Sequence, residues 1–301
     1  MLGVTARAAV GVATAVVAAA AAALGAGAAL GAAAARPAHA LWGEHGHTIA
    51  GCAAATALPE AMPAFFRAAG AQLAYLNPEP DRWRQPGMPE MAAAFAYDHY
   101  IDFERVPETA LAAPDRFAYL DSLRRAGLED PARAAGLLPF RILELYQRLA
   151  TEFRLWRRAQ DPAVRAFIEQ RIVNDAGVLG HYVTDGANPH HTTIHYNGWA
   201  EGAANPEGFT TDRTFHRRFE SDFVAARITL EDLTARLGPP RRLADPRRAI
   251  LDYLRASHAL VETLYRLEQR EPFGPNTRSA EHRAFALDRL AAGVEMLRAL
   301  W

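Results

Sequence analysis

Apolar positions recur at the spacing of an α-helix along most of the chain after residue 41. In residues 141–160, for example, Ile142, Leu145 and Leu149 fall on one side of a helix, with arginines elsewhere. Alternation of β-branched and polar residues, which is typical of half-buried strands, is nearly absent. The predicted helices span residues 48–58, 63–70, 90–96, 116–126, 141–160, 162–185, 211–227, 230–236, 246–269 and 280–300. The pattern predicts an all-α fold, organised as a single mostly helical domain.

The first 40 residues follow a different pattern. A start with one positive charge, Arg7, leads into an apolar run over residues 8–35 that is almost entirely Ala, Val, Gly and Leu. The run ends in Ala38-His39-Ala40, a small-x-small sequence of the kind that signal peptidases cleave. We therefore expect a signal peptide over residues 1–40, a folded domain over residues 41–301, and a secreted or periplasmic protein. The alternative is an uncleaved membrane anchor, since about 20 apolar residues suffice for a span.

The charge balance argues against a protein that binds duplex nucleic acid by charge alone. Every basic residue is an arginine, and the chain has 33 of them against 34 acidic residues. Two of the arginines, Arg7 and Arg36, precede residue 41, so the expected domain is slightly acidic. A protein that grips duplex nucleic acid by charge alone carries a basic surface instead. Cys52 is the only cysteine, which excludes an intramolecular disulfide.

Histidines and carboxylates form the candidate chemistry. His181 and Asp185 are four residues apart, as are His216 and Glu220, and residues four apart lie on the same face of a helix. His191 follows shortly after the first pair, beyond Pro189. Imidazole nitrogens and carboxylate oxygens are the ligands that zinc accepts most readily beside thiolates. One such pair is common on helix surfaces, but two pairs with a further histidine nearby predict a metal site.

These pairs belong to a longer series of motifs. In chain order it comprises Trp42-Gly43-Glu44-His45-Gly46-His47, Asp81 within Pro80-Asp81-Arg82-Trp83, His99-Tyr100-Ile101-Asp102, His181 with Asp185, Pro189-His190-His191, and His216 with Glu220. The series resembles the secreted, zinc-dependent, single-strand-specific nucleases and covers residues 42–220. The zinc-dependent bacterial phospholipases C share their architecture and metal cluster. The resemblance implies a phospholipase C/nuclease-like helical domain with the metal cluster at the bottom of a cleft.

The resemblance also implies the cofactor and the roles of individual residues. One of three zinc ions would be held by Asp81, His99, His181 and Asp185; a second by His191, His216 and Glu220; and a third by His47, Asp185 and the amino-terminal group of Trp42. Asp81 and Asp185 would be the catalytic carboxylates. Tyr100 and Asp102 would contact the substrate, because an aromatic face can stack on an unpaired base.

Three departures from the family pattern matter, and one ligand assignment has a competitor. Leu41 lies between the expected cleavage site and Trp42, so Trp42 becomes the terminus only if cleavage follows Leu41. Glu220 stands where the nucleases have Asp, whereas the phospholipase pattern ends in Glu. Glu79 competes with Asp81 as the first carboxylate. The stretch between His99 and His181 is long, which indicates an insertion around residues 110–138.

The expected function is a zinc-dependent endonuclease that cleaves single-stranded DNA or RNA, using water activated by the clustered zinc ions. Its partners would be single-stranded nucleic acid or nucleotides, and we expect a monomer without a protein partner. The first alternative is a zinc-dependent phospholipase C, which acts on phospholipid. The second is a catalytically inactive periplasmic zinc-binding protein.

Overall fold

Helices make up the regular structure in the computed structural model, which describes residues 43–56 and 58–301. The α-helices are α1 (Gly43–Thr56), α2 (Ala64–Ala68), α3 (Gly70–Leu76), α4 (Glu79–Arg82), α5 (Pro89–Phe95), α6 (Glu108–Leu111), α7 (Arg116–Arg125), α8 (Pro131–Ala135), α9 (Leu138–Arg158), α10 (Pro162–Ala187), α11 (Phe215–Arg217), α12 (Val224–Arg227), α13 (Leu230–Arg236), α14 (Pro246–His258), α15 (Val261–Arg270) and α16 (Ala280–Leu300). Short 3₁₀ helices span Ala96–His99, Phe103–Arg105 and Pro189–Thr192, and a π-helical turn spans Arg218–Phe223.

The mostly helical fold class predicted from the sequence is confirmed. Within the described residues, extended pairing is limited to two isolated bridges, Ile101 with Gly136 and Tyr196 with Gly198. The described residues all belong to one compact unit. None of their helices is both long enough and apolar enough to cross a bilayer. The expected signal peptide over residues 1–40 lies outside the described residues.

Several predicted helices differ from those observed. The helix expected over residues 48–58 begins at Gly43, and the one expected over residues 63–70 is divided between α2 and α3. The helix expected over residues 211–227 begins only at Phe215 and contains the π-helical turn. The helix expected over residues 246–269 is two helices, because the chain breaks at Ala259 and Leu260. Both halves bury their apolar faces in the same core, so the periodicity continues across the break and conceals it.

Helix α10 is the central element. Its first turn begins at Pro162, and the Asp161 side chain accepts a hydrogen bond from the backbone N–H of Ala163. Every residue from Asp175 to Ala187 is buried, with α9, α16, α3 and α1 packed around the helix. Glycines permit these close contacts: at Gly180 a β-carbon would lie only 2.6 Å from the Asn77 side chain. This packing places His181 and Asp185 in the protein interior.

The region of the predicted insertion, residues 110–138, contains most of α6 to α8. Its end forms backbone hydrogen bonds with the segment that carries His99. The backbone N–H of Asp102 donates to the carbonyl of Ala135 at 2.8 Å, and that of Leu137 donates to Tyr97 at 2.7 Å. Gly136 has φ +75°, and a β-carbon there would overlap the backbone of Tyr100. Only glycine therefore allows these two segments to approach so closely.

We predict that Gly177→Ala destabilises the protein by about 1–2 kcal/mol, because overpacking a helix contact costs more than the helix propensity gained. An added β-carbon would overlap the β-carbon of Leu76, which cannot rotate away because it is fixed by the α3 backbone. Urea unfolding of both proteins measures the difference.

The matched control is Gly70→Ala in α3, where the new β-carbon would make an ordinary 3.5 Å contact with Ala55. This variant should keep or slightly raise the free energy of unfolding. Equal stability of Gly177→Ala and the wild type would show that α10 and α3 are not packed as described.

Candidate metal centre

The described metal-ligand candidates come from separate elements and meet in one place. They are His47 on α1, Asp81 on α4, His99 at the end of a 3₁₀ helix, His181 and Asp185 on α10, His191 on the Pro189–Thr192 turn, His216 on α11 and Glu220 on the π-helical turn. Three groups result: His47 with His181 and Asp185; Asp81 with His99 and His181; and His191 with His216 and Glu220. Within each group the candidate ligand atoms lie within 4.8 Å of one another, so these groups could hold metal ions. Trp42 lies outside the described residues.

Helical spacing brings two of the pairs together. On α10, His181 Nε2 lies 3.3 Å from Asp185 Oδ2. His216 Nε2 lies 2.8 Å from Glu220 Oε2, but this pair spans the junction of α11 and the π-helical turn. Such local widening of a helix is frequent at functional sites.

Hydrogen bonds at the far side of the rings determine which nitrogen faces the centre. His181 Nδ1 lies 2.9 Å from the carbonyl oxygen of Asn77, and His191 Nδ1 lies 2.7 Å from that of His99. A carbonyl only accepts, so each Nδ1 must carry the proton and donate it. In the neutral rings both Nε2 atoms therefore present lone pairs to the centre, which is the form that binds metal.

Acceptor atoms consequently face one another in the protein interior. The Nε2 atom of His47 lies 3.4 Å from Asp185 Oδ1, and neither atom has a hydrogen-bond partner. Glu220 Oε1 is buried without a partner as well. Buried polar atoms without partners carry a large desolvation cost. A cation between them removes that cost, and the mixture of nitrogen and oxygen donors fits zinc.

The carboxylate of Asp185 connects the groups. Its Oδ2 faces His99 Nδ1 at 2.9 Å and His181 Nε2 at 3.3 Å. Its Oδ1 faces His47 at 3.4 Å and His191 at 4.0 Å. The two oxygens of one carboxylate thus face different pairs of histidines, as the oxygens of a bridging ligand would.

Burial dominates the titration of the metal-free site. It raises the pKa of the Glu220 carboxyl to about 8 and lowers the pKa of His99 to about 4. Burial also opposes ionisation of Asp185, but the neighbouring His181 and His191 outweigh it and hold the pKa of this carboxyl well below its usual range. A bound divalent cation would favour the ionised form of both carboxyls.

The partners of Asp81 and Glu79 favour Asp81 as the candidate ligand. Glu79 accepts hydrogen bonds from Arg82 at 3.0 Å and from the Trp83 indole at 3.2 Å, and it belongs to none of the three groups. Asp81 Oδ1 lies 3.6 Å from His181 Nε2. At 23% side-chain exposure, Asp81 is the candidate ligand closest to solvent.

Arg84 is a residue that the sequence analysis missed. Its guanidinium forms an ion pair with Asp81, and its charge contributes to the lowered pKa of His99. The three-residue spacing from Asp81 was a weak signal, because such pairs are common on helices. Only the fold shows that this arginine lies beside the candidate metal centre.

The two predicted substrate contacts lie next to the candidate ligand His99. Tyr100 is half-buried, and its hydroxyl donates to the carbonyl of Arg133 at 2.6 Å. Asp102 is only 6% exposed and lies near Tyr119, whose pKa it helps to raise. The role of both in substrate binding stays a prediction. His190 belongs to none of the three groups and packs against Phe215.

Comparison with known proteins gives no relative from which the site could be interpreted. No family model, no curated protein and no solved structure matches the chain. The chemistry of the site therefore depends on the geometry of its own side chains.

We predict three zinc ions in the zinc-equilibrated wild type: one at Asp81, His99 and His181, one at His191, His216 and Glu220, and one at His47 and Asp185. His181 is assigned to a single ion, because only its Nε2 is free to bind metal. Asp185→Asn should bind at least one fewer, because it keeps the shape of the side chain but loses the charge that faces two groups. Metal content by mass spectrometry measures this, with the exposed Asp121→Asn as control. Fewer than two zinc ions in the wild type would contradict a cluster.

The same pair of proteins should differ in stability without metal, and differ more with it. Without zinc, Asp185→Asn should be less stable than the wild type at neutral pH, because the lowered pKa of Asp185 means that the folded state favours its charge. With zinc, the difference should widen, because the folded state alone binds the ions. Thermal unfolding with and without a chelator tests this, and a difference that zinc leaves unchanged would count against ligation by Asp185.

Proposed function

We propose that the chain is a zinc-dependent phosphodiester hydrolase, and that it acts as an endonuclease on single-stranded DNA or RNA. The observation that carries the proposal is the convergence of three nitrogen- and oxygen-donor groups around the shared carboxylate of Asp185. The order and spacing of the motifs, including the Trp42–His47 start, favour a nuclease among the enzymes that this series resembles.

Zinc ions held there would polarise the phosphate and lower the pKa of a bound water. They would also offset the charge of a polyanion, which the slightly acidic chain does not do on its own. The surrounding side chains would hold the ligand side chains in place, exclude water from the interior and orient the substrate. The burial of every described candidate ligand except Asp81 supports that function.

Substrate would approach from the side of Asp81 and Arg84, where the site is nearest to solvent. A guanidinium presents a planar set of donors that matches two oxygens of a phosphate. In the free protein Arg84 pairs with Asp81, so it is held next to the position that a scissile phosphate would take. Asp81 would then be both ligand and orienting partner.

A second candidate, a zinc-dependent phospholipase C, is favoured by two observations. One is Glu220, where the phospholipase pattern also has Glu. The other is the apolar surface of α5, which follows Asp81 and Arg84 closely in the chain and has no buried residue. Met88 and Met91 there are 58% and 41% exposed, and exposed apolar side chains suit contact with lipid.

One of the proposed zinc sites depends on Trp42, which lies outside the described residues. A zinc ion bound by His47 and Asp185 would be completed by Trp42 only if Trp42 has a free amine. Secretion with cleavage after Leu41 would provide it. Amino-terminal sequencing of the exported protein decides between cleavage after Ala40, cleavage after Leu41 and no cleavage.

The substrate class is tested with purified protein on single-stranded DNA, RNA and phosphatidylcholine, with a chelator and then with added zinc. Chelator-sensitive cleavage of nucleic acid alone supports the nuclease, and diacylglycerol release alone supports the phospholipase. Zinc-loaded protein without activity on any of them would support a metal-binding protein that does not catalyse.

We predict that Arg84→Ala lowers kcat/KM on the cleaved substrate by about 100-fold, as loss of one transition-state donor does in other enzymes. Arg82→Ala is the matched control, because Arg82 lies two positions away and pairs with Glu44 and Glu79 outside the centre. Equal effects of the two substitutions would refute a role for Arg84 in phosphate binding.

A further inference from the structure

Asn77 occupies a slot between two helices that carry metal-ligand candidates. It follows the last residue of α3 and is fully buried between α1 and α10. A glycine on each side makes the room: a β-carbon at Gly51 would lie 3.1 Å from the Asn77 β-carbon, and one at Gly180 would lie 2.6 Å from its amide nitrogen. No larger residue fits opposite Asn77 on either helix without displacing it.

The residue contacts two histidines through different atoms. Its side-chain Oδ1 lies 3.0 Å from His47 Nδ1, and its backbone carbonyl oxygen lies 2.9 Å from His181 Nδ1. The two imidazoles stack on each other with their centroids 4.0 Å apart and their planes 21° apart. Asn77 therefore touches the outer edge of both rings, while both Nε2 atoms face Asp185 at 3.3–3.4 Å.

We infer that Asn77 is a positioning residue that sets the tautomer and ring orientation of His47 and His181. Both acceptor oxygens require a proton on Nδ1, which leaves the lone pair on Nε2 toward Asp185. Partners of this kind tune metal affinity in other proteins, where their loss costs about 10- to 100-fold. The inference rests on the proposed metal centre.

The contacts of Asn77 with His47 and with His181 differ in a way that can be measured. Any residue at position 77 supplies the backbone carbonyl to His181, but only the side chain supplies an acceptor to His47. Substitution of Asn77 should therefore release His47 and leave His181 unchanged. Metal affinity should fall at the group that contains His47 and persist at the group of Asp81 and His99 and at that of His191 and His216.

The test uses the full chain labelled with ¹⁵N in its histidine rings. In the zinc-free wild type, nitrogen chemical shifts should report the Nδ1–H tautomer for both His47 and His181. In Asn77→Ala, His47 should become a mixture of tautomers and His181 should not change. Zinc titration should then show one site weakened by about 10- to 100-fold. An unchanged His47 tautomer together with unchanged zinc affinity would overturn the inference.

Two further variants separate positioning from folding. Asn77→Asp keeps an acceptor for His47 and should hold its tautomer, with zinc affinity equal to or above that of the wild type; a loss as large as that of Asn77→Ala would overturn the inference. Ser257→Ala removes another buried hydrogen bond onto α10, from the serine hydroxyl to the Ala187 carbonyl, and should leave both histidines unchanged. A wild type that binds no zinc would refute the proposed function, while the tautomer measurement would still test Asn77.

Discussion

Imidazole nitrogens and carboxylate oxygens face one another in the protein interior, and the surrounding packing is organised around them. Each of them loses its hydration there, which costs free energy unless a partner or a cation replaces the water. The surrounding helices nevertheless hold them there. The rings donate outer hydrogen bonds to Asn77 and to the His99 carbonyl, which orient them, and glycines let the neighbouring helices close around α10. The fold thus brings together buried groups that could hold metal ions.

Helices that contribute no candidate ligand still serve this arrangement. On α14, the Tyr253 hydroxyl donates to the Val183 carbonyl at 2.6 Å, and Ser257 donates to the Ala187 carbonyl at 2.8 Å. The His258 ring contacts the Thr192 carbonyl at 2.8 Å. These contacts satisfy backbone groups where α10 ends and the turn that carries His191 begins. Helix α14 therefore holds the last turn of α10 and the following turn in register with each other.

The sequence predicted what local spacing determines. The helical fold class, the boundaries of residues 230–236 and 280–300, and the meeting of His181 with Asp185 all follow from periodicity or four-residue spacing. Features that depend on distant contacts were missed. Arg84 and Asn77 matter because of partners brought to them by the fold, and the break at Ala259 leaves the apolar period intact. Asp81 is favoured over Glu79 as a ligand because Arg82 and Trp83 donate hydrogen bonds to Glu79, and no local sequence pattern predicts those contacts.

The π-helical turn that carries Glu220 has a consequence for how this part of the chain can change during evolution. A π-helical turn holds one residue more than the regular helix that would replace it. Deletion of a single residue there would restore the regular helix and leave the later side chains near their present orientation. A return to the regular helix without a deletion would instead rotate each later side chain by about 100° relative to His216. Phe223 would then leave the core. Between Phe215 and Arg227, the loss of one residue should therefore be better tolerated in the π-helical turn than in the regular helix beside it.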